Sequence, residues 1–533
     1  MKVDKLHIRS RFKNLENVKV DFDEDHLMTV VVGCNGSGKS NVLEALVSIF
    51  RNLDLGEAPP FSYVLNYRLG EPHKPDQPSD RWLEITIDAD PARGSLAKQY
   101  EVSVRDLLND ETPAVLFAEQ RSGKPVPFSK VKRDKEGKAL YLPNYVFAYY
   151  SGPSDRLENH FKKHRTDFYR RLLKDELDLK GDIRPLFYAK PYHSQFVLLA
   201  FFLSEQDSAE KAFLRVHLGI EGLDSIHFVM RQPGWAKKKG ELFWGARGVV
   251  RRFLDELIKY TLSPVKVTRQ EDTSLTGSNI RNEFFHLFLP DVNALRDFAK
   301  DLSADELFKM LESTLLSEII SEVSIRVKVS NSKEPLTFRE LSEGEQQLLT
   351  VLGLLKFTGG KDSLFLLDEP DTHLNPSWAV KYLKFLREFV PNHETSHLLM
   401  VTHHPLAIAE LKKEQVQVMR RDSDQQVTAK MPDENPRGMG INLILRSDMF
   451  GLKTTLDDDT NQKLSARNAL AAKETLSKDK VVREQGFQPE NEEQYLARLN
   501  SELEKLGFNL ATDDPDYLEF LRKKYHAKNE VCS

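Results

Sequence analysis

The sequence predicts an α/β fold built on a parallel sheet, with a mainly helical insertion in its middle and a helical extension after it. Three observations support this prediction. Residues 27–50 read as a strand, a glycine-rich loop and a helix in direct succession. Two further apolar runs, Leu364–Leu367 and Leu398–Thr402, have the length of buried strands, and polar residues follow each of them. Between these parts, the segment 155–321 has mainly helical spacing.

The composition narrows the class of protein. Hydrophobic residues make up 40% of the 533 and charged residues 29%, which is typical of soluble globular proteins. No apolar run approaches the ~20 residues of a membrane-spanning helix, and no apolar stretch follows a basic one at the start, so we expect no secretion signal. Only Cys34 and Cys532 are present, which excludes a disulfide framework and favours the reducing cytoplasm. With a net charge of −5, nucleic-acid contact is expected only through local basic patches.

Residues 1–154 are predicted to form the N-terminal half of an α/β head. Alternating residues indicate early strands, and the apolar spacing of Asn41–Phe50 indicates a helix after the glycine loop. Residues 53–80 are rich in Pro, Gly and Tyr and are interpreted as an irregular excursion. The predicted strands of this half are Val3–Arg9, Val18–Phe22, Leu27–Val32, Trp82–Ile87, Tyr100–Val104 and Tyr145–Tyr150.

The rest of the chain is predicted to contain three more parts. Residues 155–321 form the mainly helical insertion, with strand-like breaks near Ile226–Met230 and Val265–Val267. Residues 322–432 complete the head with further strands. Residues 433–533 form a helical extension for contacts within an oligomer or with a partner protein.

Leucines at 3-4-3 spacing predict an amphipathic helix over Glu492–Leu506 in the extension, ended by Gly507. A second helix is predicted to start near Asp514. Packing against the head is one interpretation of these helices, and self-association or docking of a partner is the other.

Residues 33–40, Gly-Cys-Asn-Gly-Ser-Gly-Lys-Ser, match the pattern Gly-x4-Gly-Lys-Ser completely. The glycines allow successive backbone N–H groups to face phosphates at a helix N-terminus. Lys39 is expected to reach the β- and γ-phosphates and the Ser40 hydroxyl to bind Mg²⁺. A glycine turn with an incidental lysine is the alternative, which the flanking strand and helix disfavour. The residues of this loop predicted to bind ATP are Asn35, Gly36, Ser37, Gly38, Lys39, Ser40 and Asn41.

The second half of the predicted site is the strand Leu364–Leu367 with the carboxylates that follow it. Asp368 comes at the carboxyl end of the strand, where it is expected to hold Mg²⁺ directly or through water. Glu369 is predicted to orient and polarise the attacking water, because phosphoryl transfer needs mainly positioning and charge neutralisation.

His403 follows the strand Leu398–Thr402, at the position of a γ-phosphate sensor. An imidazole there stabilises charge that develops in the transition state. A structural histidine and a metal ligand are the alternatives. Adjacent residues of a strand point to opposite faces, so His403 and His404 are not expected to share one ion.

The string Leu341–Gln347, Leu-Ser-Glu-Gly-Glu-Gln-Gln, precedes a strongly apolar helical run. Ser342 and Glu345 have the spacing of a capping box, so a well-capped helix is the simpler interpretation. The other is that Ser342 and Gly344, at the helix N-terminus, face the γ-phosphate bound by a second subunit.

In this order, the strings resemble those of the ABC-type ATPases. The resemblance implies Walker A at 33–40, the signature at Leu341–Gln347, Walker B at 364–369 and His403 as the switch histidine. It further implies that two heads enclose two ATP molecules with Mg²⁺, each signature serine completing the other head's site. Asp371 and His373 then lie in the D-loop between subunits, whereas the family's Q-loop glutamine has no clear match, with Gln195 or a substitute near Ser151 as candidates.

Within this family the chain resembles the RecF and OLD-like branch, through Glu369-Pro370-Asp371 with His373 and through Thr402-His403. It is most similar to the PtuA ATPases of Septu antiphage systems, also found beside some retrons. That resemblance implies an oligomeric ATPase that controls a separate HNH nuclease. Transporter ATPases are disfavoured because 303 positions separate Lys39 from Ser342, and a long coiled coil is disfavoured because 155–321 has no sustained heptads.

Two other functions remain open at this point: a RecF-like repair ATPase and an OLD-like enzyme with its own Toprim nuclease. Asp457, Asp458 and Asp459 supply carboxylates, but no apolar strand precedes them, so no nuclease centre is expected. Nucleic acid could contact two basic patches, of which the second has aromatic neighbours that favour stacking with bases. The patches are Lys162–Arg165 with Arg170 and Arg171, and Lys237–Lys239 with Arg247, Arg251 and Arg252, beside Trp235, Phe243 and Trp244.

Overall fold

The computed structural model describes nine stretches of the chain, which form two compact units. The first unit comprises Met1–Ile444 and Asp448–Phe450, and the second comprises Leu445–Ser447 and the chain from Gly451 onward. No helix among the described residues is long and apolar enough to cross a membrane. The described residues are 1–73, 79–108, 123–134, 139–174, 184–236, 241–272, 279–422, 425–471 and 492–508.

The described strands form three sheets in the first unit. They are β1 (Lys2–Ile8), β2 (Val18–Asp21), β3 (Met28–Gly33), β4 (Tyr63–Gly70), β5 (Trp82–Ala89), β6 (Tyr100–Asp106), β7 (Lys124–Val126), β8 (Tyr145–Tyr150), β9 (Leu186–Tyr188), β10 (Ile220–Arg231), β11 (Leu262–Asp272), β12 (Asn279–Leu289), β13 (Ile320–Val329), β14 (Leu336–Thr337), β15 (Ser363–Asp368), β16 (Ser396–Val401), β17 (Val416–Arg421) and β18 (Val427–Lys430).

The α-helices come mostly after strands of the head and in the middle segment. They are α1 (Lys39–Leu55), α2 (Leu96–Gln99), α3 (Glu158–Leu173), α4 (His193–Leu203), α5 (Ala209–His217), α6 (Gly248–Leu257), α7 (Val292–Phe298), α8 (Ala304–Leu316), α9 (Glu343–Thr358), α10 (Pro376–Phe389), α11 (Ile441–Arg446), α12 (Asp458–Ala471) and α13 (Glu492–Lys505).

The central sheet has seven strands in the order β18-β17-β3-β16-β15-β8-β9, and all neighbours except β17 and β18 run parallel. Strands β3, β15 and β16 are buried at every position, which explains their continuous apolar runs. Phe365 and Leu367 pack into the core with α9, whereas Leu364 and Leu366 pack into the core with α1. The sheet is therefore covered on both faces, and the α/β fold predicted from sequence is confirmed.

A six-stranded antiparallel sheet, β2-β1-β4-β5-β6-β7, shares the core of α1. It contains β4 within residues 53–80, so the interpretation of that whole stretch as irregular was wrong. Tyr63, Leu65, Tyr67 and Leu69 are buried at alternate positions of β4, which pairs with both β1 and β5.

A five-stranded antiparallel sheet in the order β11-β12-β10-β13-β14 belongs mostly to the middle of the chain. The segment 155–321 contains α3 to α8, as its helical spacing predicts. The strand-like breaks predicted at Ile226–Met230 and Val265–Val267 are parts of two longer strands. The first lies within β10 and the second within β11. The division of the chain into four domains remains a prediction.

In the second unit, α12 packs against α13. Arg467 of α12 is fully buried and its Nε donates to Asn500 Oδ1 at 3.0 Å. Leu499 and Leu503 are buried, which confirms the amphipathic helix predicted there, although Leu506 is exposed. The second helix predicted near Asp514, and Cys532, lie outside the described residues.

Candidate functional site

The glycine loop curls between β3 and α1, at the carboxyl end of the central sheet. Gly33, Gly36 and Gly38 have φ values of 137°, 79° and 93°, which residues other than glycine rarely adopt. Gly36 has open space around it, whereas a Cβ on Gly38 would touch Leu15. The loop is further held by Asn14, whose Nδ2 donates to the Gly36 carbonyl at 3.0 Å. Nothing in the sequence pattern indicated this contact.

Lys39 lies in the first turn of α1 with its side chain directed back into the loop. Its Nζ donates to the Gly33 carbonyl at 2.9 Å and to the Cys34 carbonyl at 3.1 Å. Burial lowers the pKa of Lys39, while the nearby carboxylates of Glu369 and Asp368 oppose that shift. An ammonium group held in this way suits the recognition of a phosphate inside the loop.

Ser40 and Asp368 meet although 328 positions separate them along the chain. The Ser40 hydroxyl donates to Asp368 Oδ1 at 2.8 Å, because β3 and β15 end at the same edge of the sheet. Burial raises the pKa of Asp368, and the bond from Ser40 acts in the opposite direction. A hydroxyl and a carboxylate side by side are the oxygen ligands that Mg²⁺ prefers, so these residues fit the predicted ion.

Arg156 is a further member of this cluster, and it was not predicted from the sequence. Its Nη2 donates to Asp368 Oδ2 at 3.0 Å and its Nη1 to Asn41 Oδ1 at 3.4 Å. The guanidinium also lies over the Tyr150 ring, 5.2 Å from the centroid. The chain between β8 and α3 therefore brings a fixed positive charge to the carboxylate that is predicted to hold the metal.

We expect Arg156→Ala to lower the Mg²⁺ concentration needed for half-maximal ATP binding by about tenfold. A charge-assisted hydrogen bond of about 1.5 kcal/mol would no longer compete for Asp368 Oδ2. A fluorescent ATP analogue titrated at increasing Mg²⁺ measures this. Arg165→Ala is the matched control, since Arg165 pairs with Glu158 on α3 at 2.8 Å. An unchanged or higher Mg²⁺ requirement in Arg156→Ala would contradict the expectation.

Glu369 and His403, the two predicted catalytic residues, lie side by side. Glu369 Oε1 is 3.3 Å from His403 Nδ1, and their side chains are 30% and 51% exposed. Glu369 has φ 51°, which is uncommon for a residue other than glycine, and its N–H donates to the Val401 carbonyl at 2.8 Å. The backbone thus turns this carboxylate out of the strand toward the imidazole. His404 instead accepts from the Leu406 N–H at 3.3 Å.

Asp371 is buried beside the end of β16. The Thr402 hydroxyl donates to its Oδ2 at 2.7 Å. Burial raises the pKa of Asp371 to about 6, despite this bond. Because its ordinary pKa is about 3.9, the folded protein binds the proton more tightly than the unfolded chain does. The stability contributed by this group therefore falls as pH rises from about 4 to about 6 and then levels off.

We expect Asp371→Asn to stabilise the protein relative to the wild type above pH 6 by at most roughly 3 kcal/mol, because the buried charge is removed. The amide oxygen can still accept from Thr402. Urea unfolding of both proteins at pH 4 and pH 8 measures the difference, which should shrink at the lower pH. A difference that is the same at both pH values would show that the Asp371 charge is not the cause.

The capping box predicted at the start of α9 is confirmed. The Glu345 N–H donates to Ser342 Oγ at 3.3 Å, and the Ser342 N–H donates to Glu345 Oε2 at 2.7 Å. A Cβ on Gly344 would lie 2.5 Å from the His373 carbonyl oxygen. The His373 N–H donates to Gln347 Oε1 at 3.1 Å. The structure therefore places Gly344, in the first turn of α9, against the segment around His373.

Of the two candidates for the Q-loop position, only Ser151 lies beside the site. Its N–H donates to the Asp368 carbonyl at 3.3 Å, and its hydroxyl is 3.0 Å from that of Thr372. Gln195 lies on α4, lining a cavity with Tyr192 and Arg339.

The carboxylates of Asp457 and Asp459 contact residues of the same helical segment, α12, as expected if this segment is a helix. Asp457 Oδ1 accepts from the Thr460 N–H at 2.9 Å, and Asp459 pairs with Lys463 at 2.9 Å. No group of three or more metal-ligating side chains occurs among the residues described.

The predicted basic patches are less available than their sequence suggests. In the first, Lys163 pairs with Glu57 at 2.6 Å and Arg170 with Asp167 at 3.0 Å. In the second, Phe243 and Trp244 are buried, so the expectation that these rings stack with bases was wrong. Lys237–Lys239 lie outside the described residues.

Two known ATPase families match this chain, one in each half of the head. Residues 1–110 match the family described as AAA ATPase domain, and residues 271–409 match the family described as AAA domain, putative AbiEii toxin, Type IV TA system. The first match contains the glycine loop, and the second contains the signature, Asp368, Glu369 and His403.

One curated relative is the Septu protein PtuA of Bacillus mycoides (strain KBAB4), which is 25% identical over 199 residues. The match covers 34% of this chain and 27% of that protein, so this chain spans about a quarter of the length of the relative it matches.

Solved structures with similarity include the SMC head domain from Thermotoga maritima, 12% identical, with a TM-score of 0.28 over 81% of this chain and 99% of that one. Another is the Smc head domain with an extended coiled coil, bound to the C-terminal domain of ScpA, derived from Pyrococcus furiosus. It is 14% identical, with a TM-score of 0.29 over 80% of this chain and 96% of that one. The sheet order and the positions of the motifs define the α/β fold of this chain. ATPase family models therefore match both halves of the nucleotide site, and these matches, with the assembly of the site's residues at one sheet edge, fit an ABC-type ATPase related to the Septu protein PtuA.

Proposed function

We propose that this protein is the Mg²⁺-dependent, ATP-hydrolysing subunit of a cytoplasmic antiphage defence complex, which oligomerises and regulates a separate HNH-type nuclease. One observation carries the ATPase part of the proposal. Lys39 and Ser40 from one half of the head lie beside Asp368 and Glu369 from the other half, with Ser40 2.8 Å from Asp368. The similarity to PtuA supports the defence role.

Each residue of the site has a separate task in this proposal. The loop N–H groups and Lys39 bind the phosphates, and Ser40 with Asp368 holds Mg²⁺, which neutralises phosphate charge when bound. Glu369 accepts a proton from the attacking water, and His403, 3.3 Å from it, donates to the γ-phosphate. The water oxygen bonds to the γ-phosphorus as the bond to the bridging oxygen breaks, so ADP is the leaving group and no side chain forms a bond to phosphorus.

We propose further that each site is completed by Ser342 and Gly344 of a second subunit, with Asp371 and His373 at the same interface. Ser342→Asp tests this, because aspartate also caps helices but places a negative charge opposite the phosphate. Lys39→Ala and Ser342→Asp should each abolish hydrolysis alone. Their mixture should regain activity, since a mixed dimer has one intact site. No recovery in a mixture shown to exchange subunits would exclude the shared site.

The nuclease assignment is tested by incubating the purified chain with ATP, Mg²⁺ and plasmid or single-stranded DNA, with Glu369→Gln in parallel. Intact DNA together with ATP hydrolysis, and co-purification of a nuclease from cells that carry the defence locus, is the expected result. DNA cleavage that persists through purification would favour an OLD-like enzyme with its own nuclease. Strong ATP-dependent DNA binding by the chain alone, with a repair defect on deletion, would favour a RecF-like ATPase.

A further inference from the structure

The five-stranded sheet has one face in the core and one face whose residues are unusual for a solvated surface. Phe228, Phe285, Leu287 and Ile325 point to the core. The strand register places the intervening residues on the other face, because side chains alternate along a strand. We call this surface the arm face and define it by Leu262, Val265 and Arg269 of β11, Phe284, His286 and Phe288 of β12, His227, Val229 and Arg231 of β10, and Ser324, Arg326 and Lys328 of β13.

Apolar and aromatic side chains occupy the middle of the arm face. Leu262, Val265 and Phe288 are 56%, 49% and 38% exposed. Phe288 lies directly between Leu262 and His227 in the strand register. The rings of His227 and His286 lie 5.1 Å apart with an interplanar angle of 23° and meet at their edges through a hydrogen bond of 3.0 Å between His227 Nε2 and His286 Nδ1. The Phe288 ring is 6.5 Å from His227. Outward positions of such a sheet are usually polar, so these rings need another explanation.

Cationic side chains flank the rings. The Arg269 guanidinium lies 5.9 Å from the centroid of Phe284, and Arg231 is opposite Phe284 in the register. Arg326 and Lys328 are exposed on β13, across the sheet from Arg269. In the strand register, Glu322 lies opposite Val229, and Val229 lies opposite His286. The carboxylate of Glu322 is paired with Arg339 at 2.9 Å. The surface thus combines the exposed Phe288 ring and the partly exposed His227 and His286 rings with a positive rim, whereas Phe284 is 4% exposed.

We propose that the arm face binds single-stranded nucleic acid. Bases stack on Phe288 and the His227–His286 pair, while Arg231, Arg269 and Arg326 contact phosphates. Stacking on aromatic rings within a basic groove is the general mode of single-strand recognition. In a duplex the bases stack on one another, so only its phosphates can contact this surface, through the arginines. Its bases cannot stack on Phe288 or the two histidines. An apolar protein partner would leave the arginines without a role. This inference uses no residue of the ATP site and does not depend on the proposed function.

The test is fluorescence anisotropy with the full chain and labelled 20-nucleotide poly-dT, poly-U and a 20-base-pair duplex. Single strands are expected to bind more tightly than the duplex. Phe288→Ala should weaken single-strand binding about tenfold and Phe288→Tyr should not, because the ring is kept. Arg326→Glu should weaken it and reduce the salt dependence of log K by about 0.7, the contribution of one phosphate contact on a single strand. Lys384→Glu, an exposed cation on α10, is the matched control and should have no effect.

Photocrosslinking of wild-type protein to a bromouridine-substituted strand gives a measurement that needs no variant, with crosslinks expected on β12. Four results would each overturn the proposal. They are no saturable single-strand binding at low salt, duplex binding as tight as single-strand binding, binding that Phe288→Ala and Arg326→Glu leave unchanged, and crosslinks confined to other elements. If circular dichroism shows that Phe288→Ala unfolds the protein, the proposal is tested by the single-strand binding of Arg326→Glu and by the positions of the crosslinks.

Discussion

Glu369→Gln is expected to reduce ATP hydrolysis by about a thousandfold while leaving ATP bound. The amide has the size of the carboxylate but cannot accept a proton from the attacking water, and a general base of this kind contributes between about a hundred- and ten-thousandfold. The hydrogen bonds of Lys39 and Ser40 do not involve the Glu369 side chain, so the positions of these two side chains are preserved. Single-turnover hydrolysis and equilibrium ATP binding, measured on the same preparation, separate the two effects.

The matched control is Glu388→Gln, which makes the same change on an exposed face of α10, where Glu388 pairs with Lys384 at 3.8 Å. It should hydrolyse ATP at the wild-type rate. Hydrolysis by Glu369→Gln at that same rate would assign the general base to another residue and leave Glu369 with a structural role at the turn after β15.

Lys39→Ala is expected to weaken ATP binding by at least about a hundredfold. Lys39 is 6% exposed and its ammonium group is held by two carbonyls of the loop, so binding a phosphate there costs little further rotamer freedom. Removing one partner of a buried charge pair costs about 3–5 kcal/mol, which corresponds to more than a hundredfold in a binding constant. Isothermal titration calorimetry with a non-hydrolysed ATP analogue and Mg²⁺ measures the change.

Lys381→Ala serves as its control, because it removes a lysine from α10, away from the glycine loop. Thermal unfolding without nucleotide should be similar for both variants. ATP affinity retained by Lys39→Ala would mean that the loop N–H groups carry phosphate binding without the ammonium.

The nucleotide site could be predicted from sequence because the residues that form it occur in short contiguous motifs. Gly33 to Ser40 must be adjacent for their N–H groups to converge, and Asp368 must directly follow a buried strand to reach the same edge. Arg156 could not be predicted in this way. It comes six residues after the end of β8 with no motif around it, and its partner Asp368 is 212 positions away.

The strands were harder to predict where neighbouring turn residues or distant pairing decided the outcome. In β4, the alternation of Tyr63, Leu65 and Tyr67 is present in the sequence, but the surrounding Pro and Gly residues favoured a loop. In the five-stranded sheet, β12 is fixed by pairing with β10 and β11 on its two sides, a long-range condition that local spacing does not record.

The contacts around the segment after Asp368 form a continuous path through one subunit. Thr402, beside His403, bonds to Asp371, and two residues later His373 packs against Gly344 at the start of α9. In an assembly of two such subunits, a nucleotide that shifts the end of β16 would also shift the surface offered to the neighbouring site. The two sites would then be thermodynamically linked, so their ATP binding should show a Hill coefficient different from one, and this linkage should be lost when Gly344 is replaced by a larger residue.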